Sequence, residues 1–117
     1  MKPLATLALA TLLISAPVAA HDAVSFAELV KAFGWDFEST EITTEKVGEH
    51  LYVLFGIGGN IAVSVGPQGV LIVDDQFPEL MPRIKTAIEE LGGGDVDFAI
   101  NTHWHFDHTA GNATLGA

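Results

Sequence analysis

The sequence predicts an α/β (α+β) fold, in which a mixed sheet carries helices. Residues 41–75 hold short segments rich in β-forming residues, separated by turns that contain glycine. Residues 78–91 follow with an apolar pattern at helical spacing, and residues 97–102 form another strand-like segment. Strand, helix and strand in this order are typical of a βαβ crossover, which places the two strands parallel in one sheet.

Residues 1–20 have the pattern of a secretory signal peptide. Lys2 gives a positive start, residues 4–14 are apolar and uncharged, and residues 15–20 end the stretch with a proline and small residues. The apolar run is short for a membrane anchor, because the hydrocarbon core of a bilayer is roughly 30 Å thick. We therefore expect export to the periplasm or the exterior, cleavage near Ala20, and no membrane span in the mature chain.

Composition and charge exclude several function classes. The formal charge is −10 at pH 7, and it becomes −11 without residues 1–20, whose only charged residue is Lys2. A chain this acidic repels phosphate backbones, so we do not expect a nucleic-acid partner. The absence of cysteine excludes a disulfide framework and an acylated lipoprotein cysteine. The expected partner is a small-molecule substrate, and the oligomeric state stays open.

Residues 21–40 are predicted to form an N-terminal helical segment ahead of the domain. Ser25 and Glu28 have the spacing of a capping box, which predicts that a helix begins here. Apolar residues follow at helical spacing, and Gly34 is the expected end of the helix. The domain itself is predicted to occupy residues 41–117.

An antiparallel meander is predicted at the start of this domain. The turn at residues 66–69, Gly-Pro-Gln-Gly, is the strongest turn signal between its strands. The predicted strands are residues 41–47, 50–55, 60–65 and 70–73.

Pro78 is predicted to open the helix of the crossover. The glycines of residues 92–94 stop this helix, and the strand at residues 97–102 follows. Since α/β sheets usually bind ligands at the carboxyl ends of their strands, the loop after residue 102 is where a site is expected. The apolar stripe of the helix is Leu80, Ile84, Ile88 and Leu91.

Three histidines and one aspartate lie in that loop, within six residues. Imidazole and carboxylate are donors that zinc prefers. Side chains alternate in an extended chain, so His103 and His105 point to the same side and can share one ion. Asp107 and His108 are neighbours and need a tight turn to converge on a second ion. A polar loop with hydrogen-bonded histidines is the alternative, but this density of donors favours metal binding.

Residues 102–112, Thr-His-Trp-His-Phe-Asp-His-Thr-Ala-Gly-Asn, resemble the metal motif of the metallo-β-lactamase superfamily. Residues 69–74 resemble the strand that ends in a structural aspartate in that family, one helix before the motif. The order of the predicted elements is also similar, so the resemblance covers about residues 41–117. It implies the four-layer αββα sandwich, of which this chain would hold the N-terminal half.

The resemblance further implies a dinuclear zinc site and a hydrolase. His103 and His105 would bind the first Zn²⁺, and Asp107 and His108 the second. A metal-bound hydroxide would cleave an ester, amide or lactam bond, with Asp107 as the catalytic residue that orients it and shuttles its proton. Asp74 would accept hydrogen bonds that support the metal loop. An ordinary strand-end aspartate that caps the following turn is an equal alternative.

Other expectations concern the surroundings of this site. Residues 58–60 occupy a hairpin tip that often overhangs the substrate in the family, but the glycines are expected to serve chiefly the turn. Trp104 and Phe106 alternate with the ligands, so both are expected to face away from the metals and to pack. The remaining metal ligands of the family come from its C-terminal half. We therefore expect this chain to be truncated, poorly folded alone and inactive by itself.

Three function classes stay open at this point. The first is an exported zinc hydrolase, whose substrate is a β-lactam or another ester, lactone or thioester, because fold does not set substrate. The second is an iron-dependent enzyme on the same fold that oxidises a thiol or persulfide. The export signal disfavours it, because such enzymes are typically intracellular. The third is a non-catalytic metal-binding fragment.

Overall fold

The computed structural model describes residues 23–115, so the predicted signal peptide lies outside the described residues. Within residues 23–115 there is no helix with the length and apolar character that crossing a membrane requires. The elements in chain order are α1 (Phe26–Phe33), β1 (Thr43–Lys46), β2 (Leu51–Phe55), β3 (Ile61–Gly66), β4 (Gly69–Val73), α2 (Met81–Glu90), β5 (Val96–Ile100), α3 (Phe106–Thr109) and α4 (Asn112–Leu115).

The strands form one five-stranded sheet in the order β1-β2-β3-β4-β5. Neighbours from β1 to β4 are antiparallel, which confirms the predicted meander. β5 pairs with β4 in parallel, with α2 between them in sequence, which confirms the βαβ unit and the mixed α/β fold. The carboxyl ends of β4 and β5 therefore meet at one edge of the sheet, and the loops after both strands begin there.

One face of the sheet packs against α2. Side chains alternate along a strand, so Ile61 and Val63 of β3 and Val70 and Ile72 of β4 point to this face and are buried. Each such aliphatic side chain stabilises the fold by about 1.5–3 kcal/mol on burial. The opposite face is open at β5, where Phe98 and Ile100 are 61% and 54% exposed. We call the buried set the apolar layer: Ile61, Val63, Val70, Ile72, Leu80, Ile84 and Ile88.

Helix α2 begins three residues later than predicted. Pro78 lies in a turn instead, and its carbonyl accepts a hydrogen bond from the Met81 N–H at 3.2 Å. The helix starts at Met81, with Pro82 in its first turn. The prediction that Pro78 opens the helix was wrong because a proline φ suits such a turn as well as a first helical position. The end of the helix before Gly92, at φ 83°, agrees with the prediction.

Arg83 forms hydrogen bonds between the domain and the N-terminal segment. Helix α1 has the predicted capping box, in which Ser25 and Glu28 bond each other's backbone N–H, and it ends at Gly34 with φ 66°. Arg83 of α2 donates to the carbonyls of Phe37, Glu38 and Thr40 at distances of 2.6, 2.8 and 3.0 Å respectively. These bonds hold the segment after α1 against α2.

An aromatic cluster fills the space between α1 and the loops. Neighbouring ring centroids in it lie 4.9–6.4 Å apart, a range in which aromatic pairs attract. One member comes from the predicted metal motif, so the N-terminal segment reaches that motif. The members are Phe26, Phe33, Trp35, Phe37, Phe77 and Phe106.

Candidate metal centre

The histidine-rich motif follows the carboxyl end of β5, as the sequence predicts. His105 is extended, with φ −61° and ψ 141°, and the next four residues form the single turn of α3. This turn changes the direction of the chain between His105 and Asp107. The motif therefore presents two pairs of side chains, one from its extended part and one from its helical turn.

His103 and His105 form the first pair. Nε2 of His103 lies 3.0 Å from Nδ1 of His105, so the structure brings the two rings together as the alternation predicts. Two donors on one tetrahedral zinc ion are about 3.3 Å apart, given zinc–nitrogen bonds of about 2.0–2.1 Å. The spacing of this pair is close to that value. Both side chains are exposed and open to an incoming ion.

Asp107 and His108 form the second pair. The turn of α3 brings Nε2 of His108 to 3.4 Å from Oδ2 of Asp107, a spacing that also suits a shared ion. Both residues are half-buried. The ring of His108 lies 4.1 Å from that of His103, centroid to centroid, so the two pairs adjoin.

Asp74 at the end of β4 connects the strand to the motif. It is 4% exposed, and its two oxygens accept the backbone N–H and the hydroxyl of Thr102 at 2.7 and 2.8 Å. Oδ2 also lies 2.7 Å from Nδ1 of His108. Burial alone would raise the pKa of Asp74, but the hydrogen bonds from Thr102 and His108 outweigh it and hold the pKa below its ordinary value. Asp74 is therefore a carboxylate that accepts hydrogen bonds.

This carboxylate sets which nitrogen of each ring carries a hydrogen. Since ionised Asp74 only accepts, His108 donates its Nδ1–H to Asp74, and Nε2 is the ring nitrogen that faces Asp107. The Thr102 hydroxyl hydrogen goes to Asp74, so Thr102 Oγ1 accepts the Nδ1–H of His103 at 2.9 Å. Nε2 of His103 is then the ring nitrogen that faces His105. These contacts agree with the supporting role of Asp74 and not with the turn-capping alternative.

The three residues after β4 are buried and partly strained. Asp74 and Gln76 have φ of 66° and 54°, a left-handed conformation that costs a residue with a side chain about 1–2 kcal/mol. Asp75, between them, is fully buried; its Oδ1 accepts the N–H of Gly111 at 2.9 Å, and its Oδ2 has no hydrogen-bond partner within residues 23–115. Burial raises the pKa of Asp75 above its ordinary value. The hydrogen bonds around these residues hold the strained backbone in place.

Sequence reasoning did not single out Asp75 and Gln76. Gln76 is fully buried, and its Nε2 donates to the carbonyl of Gly59 in the loop between β2 and β3. The one signal in the sequence is that polar residues 74–76 separate an apolar strand from Phe77, which is itself fully buried. A polar run between two buried segments indicates hydrogen bonding inside the protein.

The glycine loop between β2 and β3, residues 56–60, packs on the second pair. Gly58 has φ 80° and so serves the turn, as predicted. A Cβ at Gly58 would also lie 2.7 Å from Cβ of Asp107, and a Cβ at Gly59 would collide with the ring of His108. The glycines therefore serve the close approach of the backbone to the motif in addition to the turn.

The two aromatic residues of the motif differ in how far they are exposed. Phe106 is 36% exposed and packs in the aromatic cluster, which agrees with the packing prediction. Trp104 is 82% exposed, so the prediction that it packs was wrong. Its neighbours on both sides belong to the exposed first pair, and its ring lies against that of His105, at 4.6 Å between centroids.

The four motif donors fit zinc by type and by spacing within each pair. Within residues 23–115, however, no set of three or more histidine, aspartate or glutamate side chains is arranged to hold one ion. Each pair supplies two donors, as the sequence predicts for this part of the site. The metal-binding roles of His103, His105, Asp107 and His108 stay predictions.

Comparison with known families assigns the chain. The sequence model of the metallo-beta-lactamase superfamily matches residues 57–116, just over half of the 117 residues. The match includes β3, β4, the βαβ unit and both pairs of the motif. The chain belongs to the metallo-beta-lactamase superfamily, which confirms the resemblance.

Solved structures similar to this chain are metallo-beta-lactamases, whereas a curated relative is described as an oxidase. The metallo-beta-lactamase BJP-1 of Bradyrhizobium japonicum is 28% identical to this chain, with a TM-score of 0.57. The match covers 66% of this chain and 30% of BJP-1. MEM-A1, a subclass B3 metallo-beta-lactamase from a soil metagenome library, is 30% identical, with a TM-score of 0.59. The match covers 68% of this chain and 31% of MEM-A1. The coenzyme F420H(2) oxidase of Methanothermobacter marburgensis is 34% identical over 64 residues, or 51% of this chain and 16% of the oxidase. The chain thus spans less than a third of each relative.

Proposed function

We propose that the protein is an exported, zinc-dependent hydrolase with two ions per complete active site. The observation that carries the proposal is the network around Asp74, which engages Nδ1 of both His103 and His108. Nε2 of each ring then faces a second donor, His105 or Asp107. A carboxylate that accepts the other ring N–H is the usual support of a metal-binding histidine.

Zinc, when bound, supplies an activated water and polarises the scissile carbonyl. His103 and His105 would hold one ion, and Asp107 and His108 the other. Asp107 is the proposed catalytic residue: its half-buried carboxylate lies beside His108, and it would orient the attacking water and accept its proton. Asp74 keeps both rings in the tautomer that binds.

The proposed substrate is a small molecule with an ester, amide or lactam bond. A β-lactam is the first substrate to test, because two relatives at 28% and 30% identity are described as metallo-beta-lactamases. The fold hosts other chemistry, so an ester, a lactone and a thioester belong in the same assay. Export rests on the pattern of residues 1–20, and the acidic charge of −10 argues against a nucleic-acid partner.

A second candidate is a redox enzyme on the same fold that uses iron. The 34% identity to a coenzyme F420H(2) oxidase favours it, because that relative is described as an oxidase and the match covers 51% of this chain. Histidine and carboxylate donors suit iron as well as zinc. The metal found in the purified protein separates the two candidates.

The test uses the longest polypeptide that the reading frame encodes. Metal content by elemental analysis and turnover of the four substrate classes are measured for the wild type and for His108→Asn. The matched control is His50→Asn, because His50 is an exposed histidine outside the motif. We expect about two zinc ions per chain. We expect turnover in the wild type and the control, and its loss in the motif variant.

Other outcomes identify the alternatives. Iron in place of zinc, with oxygen consumption and no hydrolysis, would support the redox enzyme. Metal without turnover would support a non-catalytic metal-binding protein, and equal loss in both variants would argue against a role for the motif. Mass spectrometry of the exported protein tests for cleavage after Ala20.

A further inference from the structure

Gln76 holds an unfavourable backbone conformation through contacts made elsewhere. It is fully buried with φ 54°, and it lacks the short side chain with which aspartate or asparagine bonds its own backbone in this conformation. Its Nε2 donates to the carbonyl of Gly59, and its own carbonyl accepts the N–H of Gly111 at 3.1 Å. The residue thus joins the glycine loop to the segment that follows the motif.

The glycine loop contacts Gln76 at both of its ends. A Cβ at Gly56 would lie 2.6 Å from Oε1 of Gln76, so the loop begins against this side chain. Oε1 itself is buried without a hydrogen-bond partner among the described residues. The bond from Nε2 to Gly59 is therefore the directional contact between the side chain and the loop.

Gly59 also lies directly against the second pair. The backbone at Gly59 is so close to His108 that a methyl group there would meet Cε1 and both ring nitrogens. Gly58 lies against Cβ and Oδ2 of Asp107 in the same way. Any displacement of the loop therefore changes the space that these two side chains occupy.

We propose that Gln76 is a positioning residue for Asp107 and His108. By holding the carbonyl of Gly59 it keeps the glycine loop on these two side chains, and so it sets the metal affinity of the second pair independently of the first. The effect on affinity rests on the proposed function, whereas the effect on the loop does not.

The first experiment needs no metal. Gln76→Met keeps the length of the side chain and removes its donor, and Ile88→Ala is the control that weakens the apolar layer from helix α2. Amide hydrogen exchange at residues 58–60 and the ring ¹⁵N signals of His108 are measured by NMR. We expect faster exchange and altered His108 signals in Gln76→Met only. Equal changes in both variants, or none in Gln76→Met, would overturn the proposal.

The second experiment titrates the same variants with Co²⁺ and follows its absorption spectrum. We expect Gln76→Met to weaken the second equivalent by about 10-fold to 100-fold, the usual effect of a lost supporting contact, and to leave the first equivalent unchanged. Equal weakening of both equivalents would mean that Gln76 acts only through stability and would overturn its specific role. A wild type that binds no metal would overturn the proposed function, and hydrogen exchange would then decide on Gln76.

The pathway through Gly59 is tested by a double-mutant cycle. Gly59→Ala displaces the loop directly. In the double mutant, the loss of affinity for the second metal equivalent should therefore be smaller than the sum of the losses in the two single mutants. Additive effects would show that the two residues act independently, which would contradict the proposed pathway.

Discussion

Different kinds of interaction hold the apolar layer and the sheet edge where β4 and β5 end, although β4 belongs to both regions. Ile72 is fully buried among aliphatic side chains, which attract without direction. Asp74, two residues later, is nearly as buried but is held by three directional contacts to Thr102 and His108. The layer depends on the volume of its side chains, and this edge depends on particular atoms. Stability and function are therefore expected to respond to different substitutions.

The largest effect on stability is expected in the apolar layer. Ile72→Ala should lower the free energy of unfolding by about 2–5 kcal/mol, because it leaves a cavity between the sheet and α2. Urea unfolding measures this loss, and Ile72→Val, at about 0.5–1.5 kcal/mol, is the matched control. The metal affinity of the folded fraction should not change. A selective loss of the second metal equivalent would show that the two regions are not separable.

The next largest effect is expected at Asp74. Asp74→Ala removes the acceptor for Thr102 and His108 and should cost about 1.5–3 kcal/mol, the range for hydrogen bonds to a charged group. It should also weaken both metal equivalents by about 10-fold to 100-fold, because both rings lose their fixed tautomer. Unfolding and Co²⁺ titration measure the two effects. Weakening of one equivalent only would contradict the link through Thr102.

A smaller, pH-dependent effect is expected at Asp75. Its pKa is raised by burial, so its contribution to stability is complete below the ordinary pKa of 3.8 and is lost as the pH rises through the folded value. Asp75→Asn is neutral at every pH and keeps an oxygen for the N–H of Gly111. The stability of this variant relative to the wild type should therefore rise as the pH increases above about 4. Urea unfolding at several pH values checks this, and a constant difference would contradict it.

The smallest effect is expected at Arg83, which belongs to neither region. Arg83→Lys loses the fork that reaches three carbonyls and should cost about 1 kcal/mol, with the N-terminal segment loosened first. Limited proteolysis of residues 34–42 measures this loosening, and Glu89→Gln on the exposed side of α2 is the control. Unchanged proteolysis would show that the aromatic cluster alone holds the segment.

The difference between the regions also explains what the sequence could predict. The apolar layer produces periodic patterns, so the meander, the α2 stripe and the parallel return of β5 were all predictable. The motif donors were visible because four of them fall within six residues. Asp75 and Gln76 were less visible: the polar run at residues 74–76 is their one signal in the sequence, and the left-handed φ of Gln76 leaves no pattern there. The start of α2 was misplaced because Pro78 fits a turn and a helix start equally well.

The exposure of Trp104 has a practical consequence. Its indole is 82% exposed, and its ring centroid lies 4.6 Å from that of His105. An ion on the first pair would be close to an emitting indole, and paramagnetic ions such as Cu²⁺ and Co²⁺ quench indole fluorescence at short range. The other tryptophan, Trp35, is half-buried and stacks on Phe33 in the aromatic cluster. With Trp35→Phe, the protein would carry its own optical indicator for occupancy of the first pair, without an added dye.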